Sequence, residues 1–156
     1  MAPAPPHVSG AAVGGSPMAS AVIWQRAEGV LVLAAALAVL ALGGQPFVWW
    51  AGILIFFAPD LSFAAYLAGP RRGAMVYNAV HLYGFGVAVA ALGVATEQPS
   101  LIGAGLLWLG HAGFDRMLGY GLKLPDSFQS THLGRIGKDR GAGQRPASAQ
   151  GQNSDS

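Results

Sequence analysis

The strongest constraint on this chain is four apolar segments joined by very short connections. They run from about Ala27 to Leu42, Phe47 to Ala68, Ala74 to Ala95 and Ser100 to Leu118. Each approaches the roughly 17–25 residues that cross a bilayer core as a helix. The first is the shortest, and Ile23-Trp24 extends it into the interface. Gly43-Gly44-Gln45-Pro46, Gly69-Pro70-Arg71-Arg72-Gly73 and Thr96-Glu97-Gln98-Pro99 read as tight turns. Connections that short force neighbouring helices to run antiparallel. The expected fold is therefore all-α: an up-down bundle of four transmembrane helices over residues 23–137, including a juxtamembrane segment. Disordered tails are expected at residues 1–22 and 138–156.

Composition supports this reading. Hydrophobic residues make up 53% of the chain and charged residues 10%, against a usual charged share of about 25%. A soluble domain this small cannot hide that much apolar surface. The expected partner is the lipid bilayer, with a homo-oligomer also open. The formal net charge of +2 gives no support to a nucleic-acid partner. The absence of cysteine excludes disulfides, thiolate metal sites and thiol catalysis. The first 22 residues lack a basic region followed by an apolar core, so no secretory signal is expected, and Met18 is an alternative start.

Orientation follows from lysine and arginine. Arg26, Arg71-Arg72, and Lys123 with Arg135, Lys138, Arg140 and Arg145 fall before the first segment, in the middle turn and after the fourth. The other two turns carry neither residue. Four spans put those three regions on one side. The charge bias makes that side the cytoplasm, so both termini face inward across an inner membrane.

Polar residues inside the spans are sorted by depth. Glu28 lies at the inner end of the first segment. Asp60 follows Pro59 and precedes Ala68 by eight residues, or roughly 12 Å of α-helix. Asn78 and His81 lie near the inner end of the third segment, and His111 and Asp115 near that of the fourth. The outer half holds almost nothing polar. Each charge at depth costs roughly 2.5–3.5 kcal/mol on insertion scales, so these groups are expected to turn inward and pair. The result is one pocket of Glu28, Asp60, Asn78, His81, His111 and Asp115, open to the cytoplasm. Pro59 is expected to kink the second helix and free the carbonyl of Ile55 beside Asp60. Partners for Asp115 are sought in Arg26 or Arg71, while Arg116 and Lys123 read as dipole or headgroup contacts. Tyr77 and Tyr83 read as packing residues.

Three functions are open for such a pocket. Asp60, His81, His111 and Asp115 suit a divalent metal held between facing helices, and the ion would activate water for hydrolysis. The same groups suit a proton relay or a path for a small solute, although the outer half offers no matching polar route. They also suit a structural network that fixes helix register. Beyond the fourth helix, Gly121 suits a C′ position and Pro125 blocks continuation. The apolar residues Phe128, Leu133 and Ile136 predict that the next segment folds back under the bundle, bringing His132 to the pocket mouth.

Several blocks together carry a family resemblance. They are Trp24-Gln25-Arg26-Ala27-Glu28-Gly29, Ala58-Pro59-Asp60-Leu61-Ser62, Tyr66-Leu67-Ala68-Gly69-Pro70-Arg71, and Tyr77-Asn78 with His81. His111-Ala112-Gly113-Phe114-Asp115-Arg116, Leu118-Gly119-Tyr120-Gly121-Leu122-Lys123 and Thr131-His132-Leu133-Gly134 complete the set. In this order they resemble the small bacterial membrane proteins of domain-of-unknown-function family 4260, from about Trp24 to Gly137. The resemblance implies a four-span membrane protein and brings no established activity, substrate or cofactor. The Ala-Gly pair after His111 is a small departure from the family pattern.

Overall fold

The computed structural model describes residues 17–44, 46–126, 129–131 and 134–135. Five α-helices make up most of it: α1 (Pro17–Leu42), α2 (Trp49–Phe57), α3 (Pro70–Val80), α4 (Tyr83–Ala95) and α5 (Pro99–Leu118). A 3₁₀ segment, Ala58–Ala68, joins α2 to α3. A two-residue antiparallel pair, β1 (Ser130–Thr131) and β2 (Gly134–Arg135), lies beyond α5. His132 falls outside the described residues, as do Phe128, Leu133 and Ile136.

Helix α5 is the centre of the molecule. It packs along α1 on one flank and α4 on the other, and more lightly on α2. Glycines permit both close crossings. A Cβ on Gly29 of α1 would stand 2.6 Å from the Gly113 carbonyl oxygen. A Cβ on Gly86 of α4 would stand 2.6 Å from the Leu109 nitrogen. Small residues let helix backbones approach this closely. Gly113 stands at the α1 crossing and Gly86 at the α4 crossing, while a Cβ on Gly103 would meet Pro46 and Phe47 ahead of α2. Gly110 makes ordinary contacts and Gly84 meets nothing within 4 Å.

Two stretches, Ser20–Leu42 and Trp49–Ala68, are long and apolar enough to cross a membrane. The bent pair Pro70–Val80 and Tyr83–Ala95 adds a third if it counts as one span. Such stretches mark a membrane protein. Although α5 has 20 residues, it is not among them. It carries His111, Asp115 and Arg116, and all three are buried.

Two of the expected continuous helices are broken, each for a physical reason. The second changes from α to 3₁₀ geometry at Ala58. Pro59 has no N–H to offer the Ile55 carbonyl, so the Ala58 N–H takes that acceptor instead. The carbonyl expected to be free is thereby satisfied. The third helix breaks at His81–Leu82, where Leu82 is extended and the axis bends by 48°. No proline lies there. Side chains of α5 instead take the carbonyls released by the break: Trp108 Nε1 donates to Val80 O at 2.7 Å, and Arg116 Nη2 donates to His81 O at 3.3 Å.

The 3₁₀ segment and α3 form a hairpin through Gly69, whose φ of 103° belongs to glycine. With 3.0 residues per turn, Asp60, Phe63 and Tyr66 line up on one face. The facing row on α3 is His81, Tyr77 and Gly73, four residues apart. Three 3₁₀ residues rise about 6 Å and so do four α residues, so the two rows stay in step. Gly73 meets the Tyr66 ring, Phe63 stacks on Tyr77 at 5.2 Å, and Asp60 reaches His81.

Helix α5 ends at Leu118 with Gly119, not Gly121, in the left-handed conformation. Gly119 N–H donates to Arg116 O at 3.0 Å and Tyr120 N–H to Asp115 O at 2.8 Å, a Schellman cap. The chain then turns back toward α3. Lys123 bridges Thr131 in antiparallel fashion, and both are buried. This brings Lys123 to Asn78 of α3; the fold-back expected from Phe128, Leu133 and Ile136, with His132 at the pocket mouth, lies outside the described residues.

Candidate functional site

Helix α3 contributes Tyr77 and His81, and α5 contributes His111 and Asp115. Each pair is spaced i, i+4, so each lies on one helix face. The faces meet in antiparallel order, with His81 opposite His111 and Tyr77 opposite Asp115. His81 Nε2 and His111 Nε2 are 3.3 Å apart. Asp60 approaches from the 3₁₀ segment, its Oδ1 lying 3.4 Å from His111 Nε2 and 3.7 Å from His81 Nε2. Asp115 Oδ2 lies 3.6 Å from His81 Nε2. Both imidazoles are almost wholly buried, whereas the Asp60 side chain is 37% exposed.

Hydrogen bonds fix the chemistry of these groups. His81 Nδ1 sits 2.9 Å from the Tyr77 carbonyl oxygen. A carbonyl only accepts, so Nδ1 carries the proton, and in the neutral ring Nε2 is a lone pair. The His81 ring is stacked on Tyr77 with centroids 3.7 Å apart. The Tyr77 hydroxyl donates to Asp115 Oδ2 at 2.8 Å. His111 is held edge-on by Phe56 and Phe57. Its Nδ1 is buried without a hydrogen-bond partner among the described residues.

Asp60, His81 and His111 each offer a ligand atom, all within 4.8 Å of one another. A tetrahedral ion bound at about 2.0–2.1 Å needs ligand atoms about 3.3–3.4 Å apart. The observed edges of 3.3, 3.4 and 3.7 Å fit one face of such a site. Asp115 stands beside this triad rather than in it. A cavity of about 350 Å³ adjoins the triad, with Asp60, His111 and Asp115 among its polar lining and Phe57, Phe114 and Leu118 among its apolar lining. Tyr120 and Lys123, from the segment after α5, complete its wall.

The other expected pocket members lie elsewhere. Glu28 is exposed on α1 and makes no ion pair among the described residues. The reason is helical phase: α1 meets α5 through Gly113, and His111 and Asp115 lie about 160° around the helix from it. Asn78 is part-buried and faces the C-terminal segment. Its Nδ2 donates to Lys123 O at 2.8 Å, and its Oδ1 accepts from Lys123 N–H at 2.7 Å. Arg26 does not reach Asp115 and instead donates from Nε to Met117 O at 2.9 Å. Arg71 is exposed. Asp115 takes Tyr77, not an arginine, as its hydrogen-bond partner.

Tyr77, Arg116, Trp108 and Lys123 matter more here than their types suggest. Tyr77 and Arg116 are almost fully buried. Tyr77 had one readable signal, its i, i+4 spacing to His81. Lys123 lies beyond the helices, 5% exposed, with its ammonium 5.4 Å from the Tyr77 ring centroid. Burial pushes its pKa below the ordinary lysine value, and the Asp115 charge opposes that shift.

A family model described as Domain of unknown function (DUF4260) matches residues 22–136. No curated protein and no solved structure matches the chain.

Proposed function

The chain belongs to the DUF4260 family, and on that footing we propose that it is a multi-pass inner-membrane protein whose Asp60–His81–His111 triad binds a divalent metal ion for acid–base chemistry on a ligand in the adjoining cavity. The observation that carries this reading is the 2.9 Å approach of His81 Nδ1 to the Tyr77 carbonyl oxygen. The Nδ1–H of His81 is committed to that carbonyl, so its Nε2 lone pair points at a carboxylate oxygen and a second imidazole nitrogen. Donor atoms converging in this way repel one another unless a cation sits among them or His111 carries its proton on Nε2 and donates it to one of the other two. A backbone acceptor on the far nitrogen is the usual support of a metal-binding histidine. A bound ion would lower the pKa of its water, and Asp115, 3.6 Å from His81 Nε2, is placed to take the proton.

In this reading α5 is the fourth span, carried through the bilayer between α1 and α4, and both termini are cytoplasmic. Apolar packing shields its polar face, which explains why its own hydropathy is low. Transport finds less support. The cavity at the opposite end of α5, against Val39, Leu40, Ile102 and Leu106, offers no charged side chain. A purely structural role is the second reading. It is favoured by the ties from Arg116 and Trp108 that hold the α3–α4 break.

Metal analysis of the purified full chain separates these readings. The metal reading expects about one zinc, manganese or iron ion per chain, lost in His111→Ala and Asp60→Asn and retained in Asp115→Asn. Size-exclusion profiles identify any variant that fails to fold. Substoichiometric metal that His111→Ala leaves unchanged overturns the metal reading. A C-terminal reporter active only in the periplasm overturns the orientation.

A further inference from the structure

We infer that the cavity beside the triad receives a single-chain amphiphile, an acyl chain ending in an anionic oxyacid head, which enters from the bilayer. This inference rests on the metal reading of the triad and names its ligand class. Three observations carry it. First, the cavity has a mixed lining: Asp60, His111 and Asp115 are polar, and Phe57, Phe63, Phe114 and Leu118 supply apolar wall. Second, that wall reaches the outside of the helices. Phe57 is 48% exposed and Leu118 42% exposed, and Phe57 belongs to a stretch long and apolar enough to cross a membrane. A ligand chain lying against both side chains would continue into lipid without crossing water. Third, Lys123 brings an ammonium group to the same cavity, on a backbone clamped to Asn78.

Size narrows the class. About 350 Å³ is at the low end of ligand sites. That space takes a head and the first part of one chain, with the remainder in the bilayer, and excludes a diacyl lipid held whole. A small polar solute would leave the aromatic wall uncovered. The head needs an oxygen able to approach a bound cation and Lys123 together, which a carboxylate or a phosphate monoester provides. The two share this chemistry and are separated by experiment.

The test uses the full chain loaded with cobalt(II) in phosphatidylcholine nanodiscs, read through the visible bands of the ion. Dodecanoate and dodecyl phosphate are titrated in parallel with acetate, inorganic phosphate and dodecanol. Each buried methylene is worth about fourfold in affinity. The band shift is therefore expected at concentrations at least 100-fold below those for acetate or inorganic phosphate. The arm that responds at the lower concentration identifies the head. Leu118→Trp, which narrows the chain wall without touching a ligand residue, is expected to raise the required concentration about tenfold while leaving the metal-only spectrum intact. Because partition into the disc is unchanged in that variant, an equal response there overturns the inference. So does a spectrum that no amphiphile shifts, or one that dodecanol shifts equally. If cobalt gives no bound spectrum at all, the metal reading itself fails, and that outcome is distinct from the others.

Discussion

The phenol of Tyr77 donates a 2.8 Å hydrogen bond to Oδ2 of Asp115, joining α3 to α5 beside the histidine pair. Tyr77→Phe removes the donor and leaves a buried carboxylate oxygen without it. A buried polar group stripped of its partner costs roughly 1–3 kcal/mol. The variant is expected to unfold at a lower temperature or denaturant concentration in detergent by that amount. Its metal content should match the parent chain, because Asp60, His81 and His111 are untouched. A midpoint equal to the parent's would refute the role given to this bond.

Asn78 clamps the backbone of Lys123 through two hydrogen bonds, one in each direction. Asn78→Ala loses both and releases the segment that walls the cavity. Local opening there becomes easier by one or two kcal/mol, about tenfold in population. Trypsin cleavage after Lys123 should speed up by about that factor, with cleavage after Arg71 and Arg72 unchanged. Equal rates at Lys123 in both proteins would refute the clamp.

Much of this arrangement is legible in the sequence. Asp60, His81 and His111 stand out because charge and imidazole are rare in apolar segments, and the bundle brings those three together. Glu28 satisfies the same criterion and is not with them. Depth along a helix is readable from spacing, but the face a helix turns to its neighbour is decided by packing, here by Gly29 against Gly113. Tyr77 reads as a packing residue because a tyrosine in an apolar segment usually packs or sits at an interface, and its bond to Asp115 depends on a partner from another helix. The break at His81–Leu82 has no local signal at all. Trp108 and Arg116, some thirty residues later, take the released carbonyls, and no reading of the third segment alone can anticipate them. The start of the 3₁₀ segment, in contrast, is readable from Pro59.

Lys123 makes the stability of the fold depend on pH. Burial lowers its folded pKa below the unfolded value, which is about 10.4. Between the two values the unfolded chain binds more protons than the folded one, so stability rises with pH across that window. Below the folded pKa the cost of burying the ammonium is present in full. Lys123→Met removes this cost together with the contacts of the ammonium, among them that with the Tyr77 ring. The stability of the parent relative to the variant is therefore expected to rise from pH 7 toward pH 10. Thermal midpoints of both proteins measured from pH 7 to 10 provide the check. A difference that stays constant over that range would show that desolvation of Lys123 does not control the trend.

Pro59 sets the helical phase of Asp60. It is fully buried at the start of the 3₁₀ segment and withholds the N–H that would continue an α-helix from Ile55. Pro59→Ala restores that donor. An α-helix through residues 58–68 would rotate Phe63 by about 60° and Tyr66 by about 120° relative to Asp60, against the single row of a 3₁₀ helix. Asp60 at His81 and Tyr66 at Gly73 could not then both be kept. Tyr66 fills the space above Gly73, and Phe63 is stacked on Tyr77. Those two aromatic contacts are the larger burial, so Asp60 is the contact expected to be lost. The variant should therefore fold, with a stability loss of about 1–2 kcal/mol from the smaller side chain, while bound metal falls well below that of the parent. Metal analysis and denaturation of the same preparation measure both quantities. Full metal retention would mean that the aromatic contacts alone hold the 3₁₀ register, and that the proline acts only by filling space.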